Sequence, residues 1–408
     1  MTVMTKAGYA IQHVRVVDGL GRTWPRATVV IKGDRIATVD DAKSPSIPRD
    51  VTRIDGRGLT LLPGLMDCHV HLCLGGDADV VKTVQGDDPA LSLLKAARYA
   101  KQTLEAGFTT VRDVGFRDHA VFQLKRAITD GLLPGPRIAA AGRVICMTGG
   151  HARFIGQEAD GPEAVAAAVR EQIAAGAEVI KFIASGGVLT PGTSPEAAQM
   201  TPEELSAGMR IARQANRRVA AHAHCAQGIK NALQAGAHSI EHATLMDDEA
   251  AGLMKRHGAY MVPTLSALAT TAASGLSCGA PKTAVEKATA MVSRHKTSFK
   301  MAHKAGIAIA MGTDAGTPFN YHGENAQELE RMVALGMTPM EAIIASTASA
   351  AALIGVADQV GTIEPGKLAD LILVKGNPLS TITLLQDRKG LAGVMQNGRF
   401  VAGPLSKL

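Results

Sequence analysis

Beyond Pro63 the chain alternates short, β-branched or alanine-rich apolar runs with longer stretches of helical periodicity. That is the pattern of repeated strand–helix units on a parallel sheet. The runs at 64–72 (GLMDCHVHL), 108–114, 137–145, 178–184 (EVIKFIA), 218–224, 238–244, 259–265 and 307–313 read as strands. Eight strands, each followed by a helix, predict an α/β fold of the (β/α)8 TIM-barrel type. The usual length of such a barrel, about 250 residues, fits the span from Pro63 to the helix near Leu353. The ends are patterned differently: VVI (29–31), IATV (36–39) and a Lys32-Gly33-Asp34 turn mark an antiparallel sheet, and residues 361–403 are again turn-rich and strand-like. Residues 1–62 with 361–408 are therefore expected to form one small β-sandwich domain clasping a barrel over 63–360.

Composition narrows the setting. With 408 residues, 46% hydrophobic and 20% charged, a large buried core is available. The net charge of +6 is spread along the chain, and its densest basic cluster, Arg213, Arg217 and Arg218, falls on a predicted helix as a solvated face, so no nucleic-acid partner is expected. Five cysteines without a CxxC pair read as reduced thiols of an intracellular enzyme. The N-terminus lacks an apolar leader core, and no run approaches the roughly 20 residues that span a bilayer. A cytoplasmic homo-oligomer with no membrane partner is expected, or a peroxisomal one if the source is eukaryotic, because the chain ends Ser406-Lys407-Leu408.

The chemistry-bearing residues sit where the predicted strands end. His69 and His71 lie two apart, so they share a face, and at the C-terminal end of a barrel strand that face can open into the mouth. Packed as ordinary polar core, such a pair would carry no function. His222, His242 and Asp314, however, close three further strands, and each would be a costly buried polar group without a partner. Lys181 is mid-strand in EVIKFIA, where an ammonium loses hydration and an uncharged amine can take up carbon dioxide as a carbamate able to bridge two cations.

On the motifs LPGLMDCHVHL (62–72), VIKFIASGG (179–187), AAHAH (220–224), SIEHAT (239–244), GTDAG (312–316) and GTIEPGKLADLILV (361–374), the chain resembles the amidohydrolase superfamily over nearly its whole length. The resemblance implies two divalent metal ions, expected to be zinc. His69, His71 and Asp314 would bind the more buried one, His222 and His242 the more exposed one, with carboxylated Lys181 between them and Asp314 also the general acid/base. Mononuclear deaminases of the superfamily carry a glutamate where this chain has Cys225, which disfavours deamination, and the complete ligand set disfavours a non-enzymatic scaffold. The loop MTGGHARFIG resembles the prolidase-like, Xaa-Pro dipeptidase branch, and this implies that His151 and His224 meet the substrate's scissile carbonyl and terminal carboxylate. His322 and Asn325, in HGENAQELERMVALGMTPMEAI (322–343), are expected to line the mouth. The expected substrate is a small-molecule amide or dipeptide cut next to a C-terminal amino acid, amide xenobiotics such as ochratoxin included. The alternative is a cyclic-amide hydrolase resembling imidazolonepropionase, which would need no carboxylate clamp.

Overall fold

The computed structural model describes residues 8–41 and 46–408; residues 1–7 and 42–45 of the expected 1–62 segment lie outside them. In chain order the strands are β1 (Gly8–Val17), β2 (Thr23–Lys32), β3 (Arg35–Asp40), β4 (Thr52–Asp55), β5 (Leu59–Pro63), β6 (Leu65–Val70), β7 (Phe108–Asp113), β8 (Arg137–Ala140) and β9 (Val144–Cys146). They continue as β10 (Gly156–Glu158), β11 (Val179–Ile183), β12 (Arg218–Cys225), β13 (Ser239–Leu245), β14 (Tyr260–Val262), β15 (Leu371–Lys375), β16 (Leu391–Gln396) and β17 (Arg399–Ala402).

Both chain ends build one sheet, ordered β17-β16-β15-β5-β1-β2-β3 with β4 beside β1. β5 is its seam. It runs antiparallel to β15, with Leu61 opposite Leu373, and parallel to β1, with Leu61 opposite Val16. Ile11, Val29, Leu61, Leu371, Leu373 and Met395 from the two ends share one apolar core. The hairpin turns of the two ends also touch: a Cβ on Gly398 (φ +74°) would lie 2.1 Å from the carbonyl oxygen of Gly33, so only glycine fits there. Hydrogen bonding joins these strands into a single sheet and does not by itself divide it into the two layers of a sandwich.

The remaining strands are parallel, in the orders β6-β7-β8 and β10-β9-β11-β12-β13-β14, with helices between them, an arrangement of the TIM-barrel type. The amide of Glu178 donates to Ala140 (3.0 Å) and links β8 to the start of β11. Three expected strands differ from their observed form. The third breaks into β8 and β9 at Gly142, whose φ is +74°. The seventh stops at Val262, because Pro263 has no N–H to give and Thr264 turns to φ +53°. The eighth is not a regular strand: residues 308–315 hydrogen-bond to both flanks, with Met261 N to Ala308 O at 2.8 Å, Cys68 N to Met311 O at 2.8 Å and Asp314 N to His69 O at 2.7 Å. Among the described residues no helix is long and apolar enough to cross a membrane.

Leu61 is fully buried in the strand that joins the two ends. Leu61→Ala should cost about 2–5 kcal/mol of stability. Guanidinium unfolding followed by circular dichroism checks this, and an unmoved midpoint would mean that the terminal sheet does not unfold with the rest.

Candidate metal centre

The strand ends converge on one cavity lined by His69, His71, His151, Lys181, His222, His224, His242 and Asp314. Asp314 Oδ1 lies 3.4 Å from His69 Nε2 and 3.3 Å from His71 Nε2. The His242 ring stands 5.1 Å from that of His69, 4.6 Å from His222 and 4.7 Å from His224, and His151 is 4.6 Å from His222. Lys181 enters from β11, 2% exposed, and its Nζ has no hydrogen-bond partner. Burial pushes its ammonium down to about 8. Two trios of donor atoms fall within 4.8 Å of one another, His222/His224/His242 and His69/His242/Asp314, and they share His242.

The backbone is strained where the site forms. His242 (φ +69°), Asp314 (+62°), Thr264 (+53°) and Ala152 (+59°) all adopt the left-handed region without being glycine, at a cost of about 1–3 kcal/mol each. The turn at His242 has a visible consequence. Ser239 and Glu241 occupy the inner face of β13, so simple alternation would send His242 outward; instead its ring joins the cavity beside them.

Hydrogen bonds sort the imidazoles by tautomer. His69 Nδ1 gives its proton to the Glu241 carboxylate (2.8 Å), and His71 Nδ1 to the carbonyl of Gly115 (2.8 Å). Thr264 donates its own hydroxyl proton to Pro263, so at His242 the ring Nδ1–H donates to Thr264 Oγ1 (2.7 Å). At all three it is Nε2 that faces the cavity, where those of His69 and His71 meet Asp314. His222 is reversed: its Nε2–H donates to Gly186 O (3.2 Å), which leaves Nδ1 bare. At His151 the Thr190 hydroxyl accepts from Ala152 N (3.0 Å) and pairs with Nδ1 (3.0 Å); with that hydroxyl donating, Nε2–H is a donor. Four rings thus offer a nitrogen each to a cation, and His151 presents a proton suited to an oxygen.

Charge agrees with that sorting. Burial, and after it the neighbouring imidazoles, hold His222 and His242 well below the usual histidine range, and burial takes His151 down to about 3, so all three stay neutral. Burial alone would raise the carboxyl of Asp314, but hydrogen bonds and charge from His69 and His71 outweigh it and hold the group well below its ordinary range, and Asp314 in turn raises His71 against its own burial. Imidazoles held neutral at His222 and His242, the Asp314 carboxylate paired with His69 and His71, and a partnerless buried amine make a donor set that fits divalent cations.

Several residues that sequence reasoning passed over hold this set in place. Arg112 crosses the interior from β7, donating to Cys68 O (2.6 Å), Ser239 Oγ (3.0 Å) and Glu241 Oε1 (2.8 Å). Asp67 accepts from Thr313 Oγ1 (2.6 Å), Asn325 Nδ2 (2.7 Å) and His69 N (3.0 Å), which ties β6 to the segment carrying Asp314. Arg112 in FTTVRDV carried the same signal as Lys181, a cation inside an apolar strand. The structure does not bring His322 or Asn325 to the cavity. His322 lies behind the loop after β6, stacked on Tyr99 and donating to Leu74 O (3.0 Å), and Asn325 is a buried tie to Asp67. Cys225 caps the helix Ala226–Ala235, its sulfur accepting from Gly228 N.

The chain belongs to the amidohydrolase family, whose model matches residues 60–401. Ochratoxinase of Aspergillus niger is 34% identical over 420 residues, covering 95% of this chain and 85% of the relative. A solved Xaa-Pro dipeptidase with methionine bound in its active site is 37% identical, with a TM-score of 0.89 over 97% of this chain and all of the other. A prolidase complexed with N-methylphosphonate-L-proline is 33% identical, with a TM-score of 0.89 over 96% of this chain and 99% of that one. The protein is accordingly a hydrolase acting on amide bonds, in a family that generally binds divalent metals.

A Cβ on Gly187 would lie 2.3 Å from His151 Nε2. Gly187→Ala should therefore displace that ring and lower kcat/KM on an amide substrate by about 10-fold or more, with metal content by atomic absorption unchanged. Full activity would show that His151 does not work from this position.

Proposed function

We propose that this chain is a dinuclear zinc hydrolase that cuts the amide joining an acyl or aminoacyl group to a C-terminal amino acid. The reading includes a barrel over 63–360, closed through the segment 308–315, and a sandwich-like clasp from 1–62 and 361–408. The observation that carries it is the partnerless Nζ of Lys181 beneath a ring of imidazoles. Burial pushes that ammonium down toward neutral pH, which makes the neutral amine accessible. That neutral form adds to carbon dioxide, releasing one proton and leaving a carbamate anion.

His69, His71 and Asp314 would hold one cation, His222 and His242 the other, and the carbamate of Lys181 both. When bound, the pair supplies a nucleophile at neutral pH and a Lewis acid for the substrate carbonyl. The protein's own groups do the rest. Asp314, ionised and at the open end of its strand, accepts the proton of the attacking water and returns it to the leaving nitrogen. His151 directs its Nε2–H at the carbonyl oxygen as charge develops there. His224, stacked on His242 with its Nδ1 on Thr244 Oγ1 (2.8 Å), takes the terminal carboxylate. The methionine and the prolyl phosphonate held by the two solved neighbours, and the similarity to ochratoxinase, support a substrate ending in an amino acid.

Lys181→Ala should bind fewer than two metals per chain and lose turnover, with partial rescue by a small carboxylate; two metals with full turnover would rule out the bridge. The substrate class is tested by a cycle in kcat/KM on one N-acyl amino acid and its amide. Replacing the substrate carboxylate should lower wild-type kcat/KM by about 10- to 100-fold, and His224→Ala much less, because its partner is already gone. Additive losses for both His224→Ala and His151→Ala would leave no carboxylate clamp, and a cyclic amide would become the better substrate to assay.

A further inference from the structure

The cavity over the metal centre has a floor and a wall of opposite character. Histidines, Lys181 and Asp314 make the floor; above it, among the described residues, no Asp, Glu, Lys or Arg lines the wall. Phe154 comes from the loop after β9, three residues beyond His151. Val188 and Leu189 come from the segment after β11, and Leu268 from the helix Leu265–Ser274. Val188 and Leu268 are buried against Ala284, Ala288 and Met291 of the helix Lys282–Ala305, so the wall has a packed backing. Phe154 and Leu189 are only half-buried where they line the cavity. Lys287, from the same backing helix, uses its ammonium on the carbonyls of Thr193 (2.6 Å), Thr190 (3.2 Å) and Gly187 (3.4 Å) and so fixes the segment that carries Val188 and Leu189.

We propose that this wall selects amides whose C-terminal residue has an uncharged, apolar side chain, with Phe154 and Leu189 as the specificity-determining residues. The inference rests on the reading given under Proposed function. The α-carbon of that residue lies between the scissile amide and the carboxylate. With those two ends at His151 and His224, the side chain is assigned to the wall whose Phe154 follows His151 by three residues. An apolar side chain there is removed from water against apolar carbon; a charged one loses hydration and finds no counter-charge.

The test is kcat/KM of the zinc-loaded enzyme on N-acetyl-phenylalanine, -leucine, -methionine, -lysine and -aspartate. The acetyl group is constant, so only the side chain varies. Calorimetric binding of free phenylalanine and lysine gives a readout independent of turnover. Wild type should favour the apolar members by about 100-fold or more over the charged ones. Leu189→Glu should raise lysine relative to phenylalanine by about 10-fold, in turnover and in binding. Phe154→Ala should lower the phenylalanine substrate by about 10-fold and N-acetylglycine hardly at all. Metal content and Tm should be unchanged in both variants. Charged and apolar members within threefold of each other in the wild type, or a ratio that neither variant moves, overturns the wall's role and leaves the carboxylate reading standing. No hydrolysis of any member by enzyme with both metals bound overturns that reading, and this inference with it.

Discussion

The buried pair of Arg112 and Glu241 is the interaction on which the site depends. The guanidinium is 1% exposed and the carboxylate fully buried, joined at 2.8 Å between β7 and β13. Neither charge is tolerable alone at that depth; removing one partner of such a pair typically costs about 3–5 kcal/mol. Every remaining hydrogen-bonding atom of the pair is put to use. Arg112 reaches the backbone of β6 at Cys68 and the Ser239 hydroxyl on β13, and Glu241 holds the Nδ1–H of His69. Three strands are thereby pinned at one level, and a histidine at the next level is fixed in a single tautomer. The same carboxylate lies near enough to Lys181 to oppose part of the burial cost of its ammonium. It does not relieve all of it, since the amine is still pushed down to about 8.

The periodicity of the sequence was informative because most strands end at the same rim. Lys181 and His222 sit within β11 and β12, where alternation sends them inward; His69 and His71 share a parity too, although β6 shifts register before Val70 and ends there, one residue short of His71. Where the backbone departs from regularity the pattern loses its power. His242 and Asp314 reach the cavity only through left-handed turns, so their place was legible from motif resemblance and not from period. Glu241 was hidden by the same turn, because counting from His242 assigns it to the outer face. The eighth expected strand was legible as an apolar run but not as a sheet member, since its pairing is divided between Met261 on one side and β6 on the other. His322 and Asn325 show the opposite limit. Polar residues in a loop after the strand-eight aspartate look like a mouth, yet their side chains are buried as ties behind it.

Hydrogen-bond partners and walls fall on different groups even where they share a segment, as Gly186 O and Leu189 do after β11, and this separates what can vary from what cannot. The donor atoms are fixed by strand ends and by single acceptors one residue deep: Glu241, Gly115 O, Thr264, Gly186 O. Changing any of these alters a tautomer and with it the availability of a lone pair. The wall is carried by the loop after β9, the segment after β11 and one helix, with Lys287 anchoring the segment through backbone carbonyls that any residue possesses. Side chains at Phe154 and Leu189 can therefore change without disturbing the bonds that place Thr190, and through it His151, over the centre. The groups proposed to act on the amide bond and those proposed to touch the substrate's side chain thus share segments, the one after β11 carrying both Gly186 and Leu189, while their roles fall on separate atoms.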